Sequence, residues 1–150
     1  MAVRTFELNA KQRAVVRIAR DFGMEALYVF GSQVRTAVGW LYERGEAPPR
    51  WDAASDLDIG VLPGRGIRHS VRDKAMIAMR LEDLFSIARV DLVMLPDADP
   101  FLAAEIVRGE RIYCRDTYVV DEYELYILRR AGDLAPLERD RISLILGVQS

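Results

Sequence analysis

The sequence predicts an α/β or α+β domain, and three observations carry that expectation. Segments with apolar residues at i, i+3, i+4 and i+7 alternate along the chain with short aliphatic runs closed by Gly or Pro. No internal repeat or low-complexity tract interrupts the alternation. The chain has 150 residues, 51% hydrophobic and 29% charged, which is ordinary globular composition with material for one core and too little for two. One domain over residues 1–150 is therefore expected, with a core over about 9–115 and a helical region over about 117–148.

The elements follow in order. Asn9 is a helix cap for a segment whose apolar face is Val15, Ile18, Ala19 and Phe22, and Gly23 stops it. The run from Ala26 to Phe30 reads as a buried strand entering a tight turn at Gly31-Ser32. A second helix is expected over 33–43, and from Gly39 to Ala54 the pattern breaks into a loop punctuated by Gly45, Pro48 and Pro49 that also carries Trp40 and Trp51. Asp56 to Leu62 predicts a strand with Leu57, Ile59 and Val61 on one face, closed by Pro63, Gly64 and Gly66. Ser70 to Ala88 predicts a helix packed through Ile77, Leu81, Leu84, Phe85 and Ala88. A third strand is expected over Arg89 to Leu95, ended by Pro96. A short helix over Phe101 to Val107 and a strand over Arg111 to Arg115 come next. A last helical region begins near Asp121, with Val119, Tyr123, Tyr126 and Ile127 along one side, and is expected to break at Gly132 and Pro136 before Ile142 to Leu146.

Composition excludes several classes. No run approaches the roughly 20 apolar residues that span a bilayer, and Met1 to Asn9 lacks the apolar core of a signal peptide. Cys114 is the only cysteine, so no internal disulfide can form and a reducing cytoplasm is the expected home. The net charge of -2 gives no overall positive field for a long nucleic acid, although a local basic patch is compatible with it. His69 is the only histidine, which rules out a His-pair zinc site. It reads as a capping or solvated residue. Cys114 reads as packed, Arg129-Arg130 as a solvated face, and Tyr118, Tyr123 and Tyr126 as partly buried helix residues.

The chemistry concentrates in three segments. In Ser55-Asp56-Leu57-Asp58-Ile59-Gly60-Val61, alternation sends both aspartates to one face, with Cα atoms about 7 Å apart, while the opposite face is aliphatic. Asp91 interrupts another apolar strand, Arg89-Val90-Asp91-Leu92-Val93. If the two strands are neighbours, three carboxylates meet on one surface, and magnesium, with its preference for oxygen ligands, is the natural occupant. Gly31 lets backbone amides approach an anion, and Ser32 adds a hydroxyl at a helix start, a ready phosphate site. Metal on one side and anion cradle on the other is what nucleoside triphosphate chemistry needs.

These segments resemble the minimal nucleotidyltransferases, the MNT-domain proteins of the DNA polymerase beta superfamily. The likeness is carried by Tyr28-Val29-Phe30-Gly31-Ser32, the Asp56-x-Asp58 strand and Val90-Asp91-Leu92-Val93, and it extends through Asp99-Pro100-Phe101-Leu102 and Glu105-Ile106 to Gly109-Glu110-Arg111-Ile112-Tyr113. It implies a small mixed sheet flanked by helices. It implies Asp56 and Asp58 as magnesium ligands, Asp91 as a third ligand or base, and Gly31 and Ser32 as triphosphate holders. Arg35 matches a basic position one helical turn later. The family leaves about a dozen residues between Gly-Ser and Asp-x-Asp, whereas Gln33 to Ser55 are 23 here; a surface loop, an acceptor flap and a partner contact are the roles open to the extra segment, with the loop favoured.

The function implied is magnesium-dependent transfer of a nucleoside monophosphate, AMP from ATP, to a hydroxyl, with two ions. The resemblance further implies an antitoxin whose partner is a HEPN-domain toxin modified on tyrosine. Neutralisation of that partner by contact alone is the alternative, and an aminoglycoside nucleotidyltransferase is a third. Self-association through the final helix is a further expectation.

Overall fold

Asn9 starts the first helix by a reciprocal pair of bonds. Its Oδ1 accepts from the Gln12 amide at 2.8 Å while Gln12 Oε1 accepts from the Asn9 amide at 2.8 Å. The computed structural model describes residues 7–43, 47–52 and 56–147. The first six residues and Gly45, Ala54 and Ser55, named above, lie outside them. Helix α1, Ala10–Asp21, buries Val15, Ile18 and Ala19, and Gly23, at φ +63, turns the chain into strand β1, Met24–Phe30. That strand starts two residues earlier than expected and is buried throughout.

Among the described residues four strands form one mixed sheet in the order β3-β2-β1-β4. Strand β2, Leu57–Pro63, runs antiparallel to β1 and parallel to β3, Val90–Met94, while β4, Glu110–Cys114, closes the other edge antiparallel to β1. Helices α2, Val34–Tyr42, and α3, Val71–Phe85, join α1 on one face. There Ala37, Leu41, Ile77, Leu81 and Phe85 meet Leu27, Val29, Leu57, Ile59 and Val61. Helices α4, Pro100–Val107, and α5, Thr117–Leu146, cover the other face. Ala103, Ala104, Ile106, Val120 and Ile127 pack there on Ala26, Tyr28, Phe30 and Leu62. Tyr28 is fully buried and donates to Glu124 Oε1 at 2.8 Å. Arg111 binds Asp121 at 2.9 Å and Glu124 at 3.4 Å, tying β4 to α5. Burial, and then the Glu124 bond, push the Tyr28 hydroxyl far above the ordinary phenol range.

Several expectations need correction. Gly39 and Trp40 belong to α2, so the loop starts after Tyr42 rather than at Gly39. Trp40 Nε1 donates to Leu84 O and Trp51 Nε1 to Phe85 O, both at 2.9 Å. Both flanks of the long connection are thus pinned to the last turn of α3, where carbonyls lack helical partners. Helix α3 stops at Phe85 because Ser86 adopts a left-handed conformation, φ 51, which leaves Ala88 exposed and lets Ile87 pack on the core instead. Its cap is Ser70, whose Oγ accepts from Asp73. His69 is neither cap nor solvated, since its half-buried ring contacts Phe22 O through Nε2 at 2.5 Å. Pro96 lies in a 3₁₀ turn, Leu95–Asp97, beyond β3.

The largest correction concerns α5, which begins four residues early, capped by Asp116, and runs unbroken through Gly132 and Pro136. Both residues are exposed, so water can satisfy the carbonyl that Pro136 leaves without a donor. Tyr123 is half-buried as expected, whereas Tyr118 and Tyr126 are exposed; Cys114 is half-buried. Past Ala131 no described residue of α5 is buried, and Leu137, Leu144, Ile145 and Leu146 face solvent. Among the described residues no helix is long and apolar enough to cross a membrane.

Candidate active site

Alternation along β2 decides where its side chains go. Leu57, Ile59 and Val61 enter the core under α1 and α3, so Asp58 and Gly60 must face the α4 side. Because β2 and β3 are parallel neighbours, Asp58 pairs in register with Asp91. Side by side on adjacent strands, they project from the same face. Asp56 sits just before β2, two residues from Asp58, and its Oδ2 lies 3.5 Å from Arg89 Nε at an exposed position.

The bend after β1 closes this corner. Gly31 adopts φ +79, a conformation that strains any residue with a Cβ. A Cβ there would also lie 2.5 Å from Asp58 Oδ2, so the carboxylate rests directly over the bend. Ser32 is exposed beside it, and Gln33 occupies the N-cap of α2 without a side-chain bond to the helix. No acidic residue stands in the first turn of α2. Its opening amides therefore have no side-chain acceptor from the cap and carry the helix's positive end, as an anion site requires.

Gly31 and Ser32 line a pocket of about 600 Å³ with Phe30, Val34, Glu105, Arg108, Gly109 and Glu110. Arg35, exposed in the first turn of α2, stands outside that lining. Two participants escaped the sequence reading. Gln33 is buried, and its Nε2 has no hydrogen-bond partner among the described residues. Glu105, on α4, lines the pocket beside Gly31 and Ser32. Its signals in the sequence are its place in the segment that carries the family resemblance and its being the only charged residue in an otherwise apolar helix, Pro100–Val107.

The electrostatics are one-signed. Asp58 is raised above the ordinary carboxylate range, by burial first and then by Asp91, Asp56 and Glu105. No cation among the causes offsets them. As the side chains stand, no three His, Cys, Asp or Glu residues among the described ones close into a metal-holding group. Like charges spread apart, and Asp56 turns to Arg89. The donor chemistry nonetheless fits a hard divalent cation, since Asp56, Asp58 and Asp91 all offer carboxylate oxygens.

A bend with positive φ beneath the carboxylate of a strand aspartate, itself in register with a second aspartate, is the arrangement expected of a nucleotidyl-transfer site. The family described as polymerase beta, nucleotidyltransferase, matches residues 15–118. The chain belongs to this family. A comparison with curated proteins gives no match. Among solved structures, a toxin–antitoxin with AMP-PNP is similar at 17% identity, over 90% of this chain and 98% of that one, with a TM-score of 0.67. A mutant of the toxin–antitoxin MntA–HpeT is similar at 18% identity, over 93% and 99%, with a TM-score of 0.65. A tri-AMPylated Shewanella oneidensis HEPN toxin in complex with MNT antitoxin gives 20% identity, 93% and 97% coverage, and a TM-score of 0.57. At such identities these likenesses speak for the fold of this polymerase-beta-type nucleotidyltransferase.

Proposed function

We propose that this chain is a magnesium-dependent enzyme that transfers AMP from ATP to a hydroxyl, and that its acceptor is a tyrosine of a HEPN-type toxin partner. The observation that carries the reading is Asp58, in register with Asp91 and seated over the Gly31 bend. Solved structures of the same fold supply the direction, since one holds AMP-PNP and another pairs an MNT antitoxin with an AMPylated HEPN toxin.

Asp56 and Asp58, with Asp91, would hold magnesium, which supplies charge neutralisation and alignment of the phosphates. The Gly31 bend, the Ser32 hydroxyl and the open amides of α2 bind the triphosphate, with Arg35 as a cationic flank. Asp91 accepts the proton of the incoming hydroxyl. The acceptor oxygen then bonds the α-phosphorus, the bond from that phosphorus to the bridging oxygen breaks, and pyrophosphate leaves. Asp91 is the most exposed of the strand carboxylates inside β2 and β3, which suits it to meet a bulky acceptor.

A second reading is neutralisation by contact, favoured by the outer half of α5, where Leu137, Leu144, Ile145 and Leu146 are exposed. One experiment separates the two. ATP labelled at the α-phosphate is incubated with magnesium, this protein and a candidate helical toxin. Label on the toxin, reduced to background by Asp58→Asn, supports transfer. Toxin inhibition without label, unchanged in Asp58→Asn, supports contact.

A further inference from the structure

We propose a second ligand site at the end of the sheet opposite the aspartates, a pocket that binds the phosphate of one nucleotide-sized molecule. The whole of β1, about 20 Å of chain, separates it from the Gly31 bend. The pocket holds about 580 Å³ and takes its walls from α1, the turn into β1, the connection after β2 and the end of β4. Two backbone bonds hold these parts together. Gly64 N donates to Gly23 O at 2.8 Å, and a Cβ on Gly64 would lie 2.8 Å from that same oxygen, so the approach needs glycine. Arg115 N donates to Glu25 O at 2.9 Å, which carries the chain past β4 alongside the start of β1. Arg20, Arg65 and Arg115, from three separate parts of the fold, therefore line one concavity.

The positive charge here is not consumed within the protein. Among the described residues the side chains of Arg20 and Arg65 make no hydrogen bond or ion pair. Arg115 meets Glu25 at 3.5 Å with its side chain 70% exposed, so one loose contact leaves guanidinium donors for a ligand. Both carboxylates of the lining are engaged. Glu25 is buried against Arg115, and Asp116 Oδ1 accepts the opening amides of α5 from Tyr118 and Val119. Guanidinium forks grip phosphate oxygens in pairs, and several of them together suit a dianion better than a single carboxylate. Half-buried Tyr113 and exposed Ile67 and Val119 add apolar wall, so the bound molecule carries an apolar or aromatic body beside its phosphate. A pocket of this size takes one such molecule, and the net charge of -2 speaks against a long polyanion.

The test is titration of the nitrogen-15-labelled protein with AMP in EDTA, followed through its amide shifts. The amides of Gly23, Arg65 and Arg115 are expected to move along one saturable curve. Arg20→Gln and Arg65→Gln should each weaken that curve about tenfold, and adenosine should bind about tenfold more weakly than AMP. Arg129→Gln, the same charge change at an exposed position of α5, is expected to leave binding unchanged. Unshifted amides away from the pocket establish that the variants remain folded. Shifts confined to Gly31 and Ser32, a curve unaltered by both arginine substitutions, or adenosine binding as tightly as AMP overturns the site. A short adenylate oligonucleotide that binds more tightly than AMP overturns the single-molecule assignment in favour of RNA. None of these outcomes bears on nucleotidyl transfer, which labelled ATP and Asp58→Asn read separately.

Discussion

On one side of β2, Leu57, Ile59 and Val61 are fully buried beneath α1 and α3. On the other side of the same seven residues, Asp58 rests over the Gly31 bend, Gly60 lies against Ile106, and Leu62 joins the α4 and α5 core. The first face is uniform aliphatic packing, where loss of volume is the only injury. The second changes role every two residues, from charge to close approach to packing, and tolerates neither added volume nor lost charge. The buried face thus fixes the register that the chemical face depends on, because a slip of one residue would turn Asp58 into the core.

Four substitutions press on that contrast, from the largest effect to the smallest. Ile59→Ala opens a cavity on the aliphatic face and should cost about 2–5 kcal/mol in urea unfolding, while transfer per folded molecule is kept. A loss of turnover larger than the loss of folded protein would break the division between the faces. Gly60→Ala inserts a methyl group against the stiff β-branched Ile106 and should cost about 1–3 kcal/mol. Combining it with Ile106→Ala should be less costly than the sum of the two, which a double-mutant cycle measures. Gly31→Ala should cost about 1–2 kcal/mol for the left-handed backbone. Its distinguishing mark is weakened ATP binding in calorimetry, because the new methyl group displaces the Asp58 carboxylate. Asp58→Asn should abolish transfer yet raise the melting midpoint at pH 7. The Asp58 carboxyl is raised in the folded chain, so its contribution favours the fold at low pH and is lost as pH rises through that raised value. The gain from Asn should accordingly shrink toward zero as melts are repeated down to the ordinary carboxylate range. A gain independent of pH would remove the electrostatic explanation.

How much was legible differs by element. The Asn9 cap and the cores of β1 and β2 are set by neighbours in sequence and could be read directly, although β1 starts two residues early and Asp56 falls just before β2. The breaks expected at Gly132 and Pro136 do not occur, because both residues face water, which the local helix penalty does not encode. The Gly39–Trp51 segment looked like a free loop because the carbonyls that anchor Trp40 and Trp51 belong to α3, more than 30 residues away. The place of Glu105 beside the Gly31 bend depends on how α4 lies on the sheet, which no local pattern sets.

Sequence alone determined the periodicities, the Asn9 cap and the face of β2 to which Asp58 belongs, since these follow from backbone geometry within a few residues. Tertiary structure decided which strands adjoin, and hence that Asp91 stands beside Asp58, that the Gly31 bend lies beneath it and that Glu105 arrives from a helix. Such meetings depend on the parallel pairing of β2 with β3 and on two side-chain-free contacts at Gly60 and Gly109, and no local rule encodes a distance between residues that far apart along the chain.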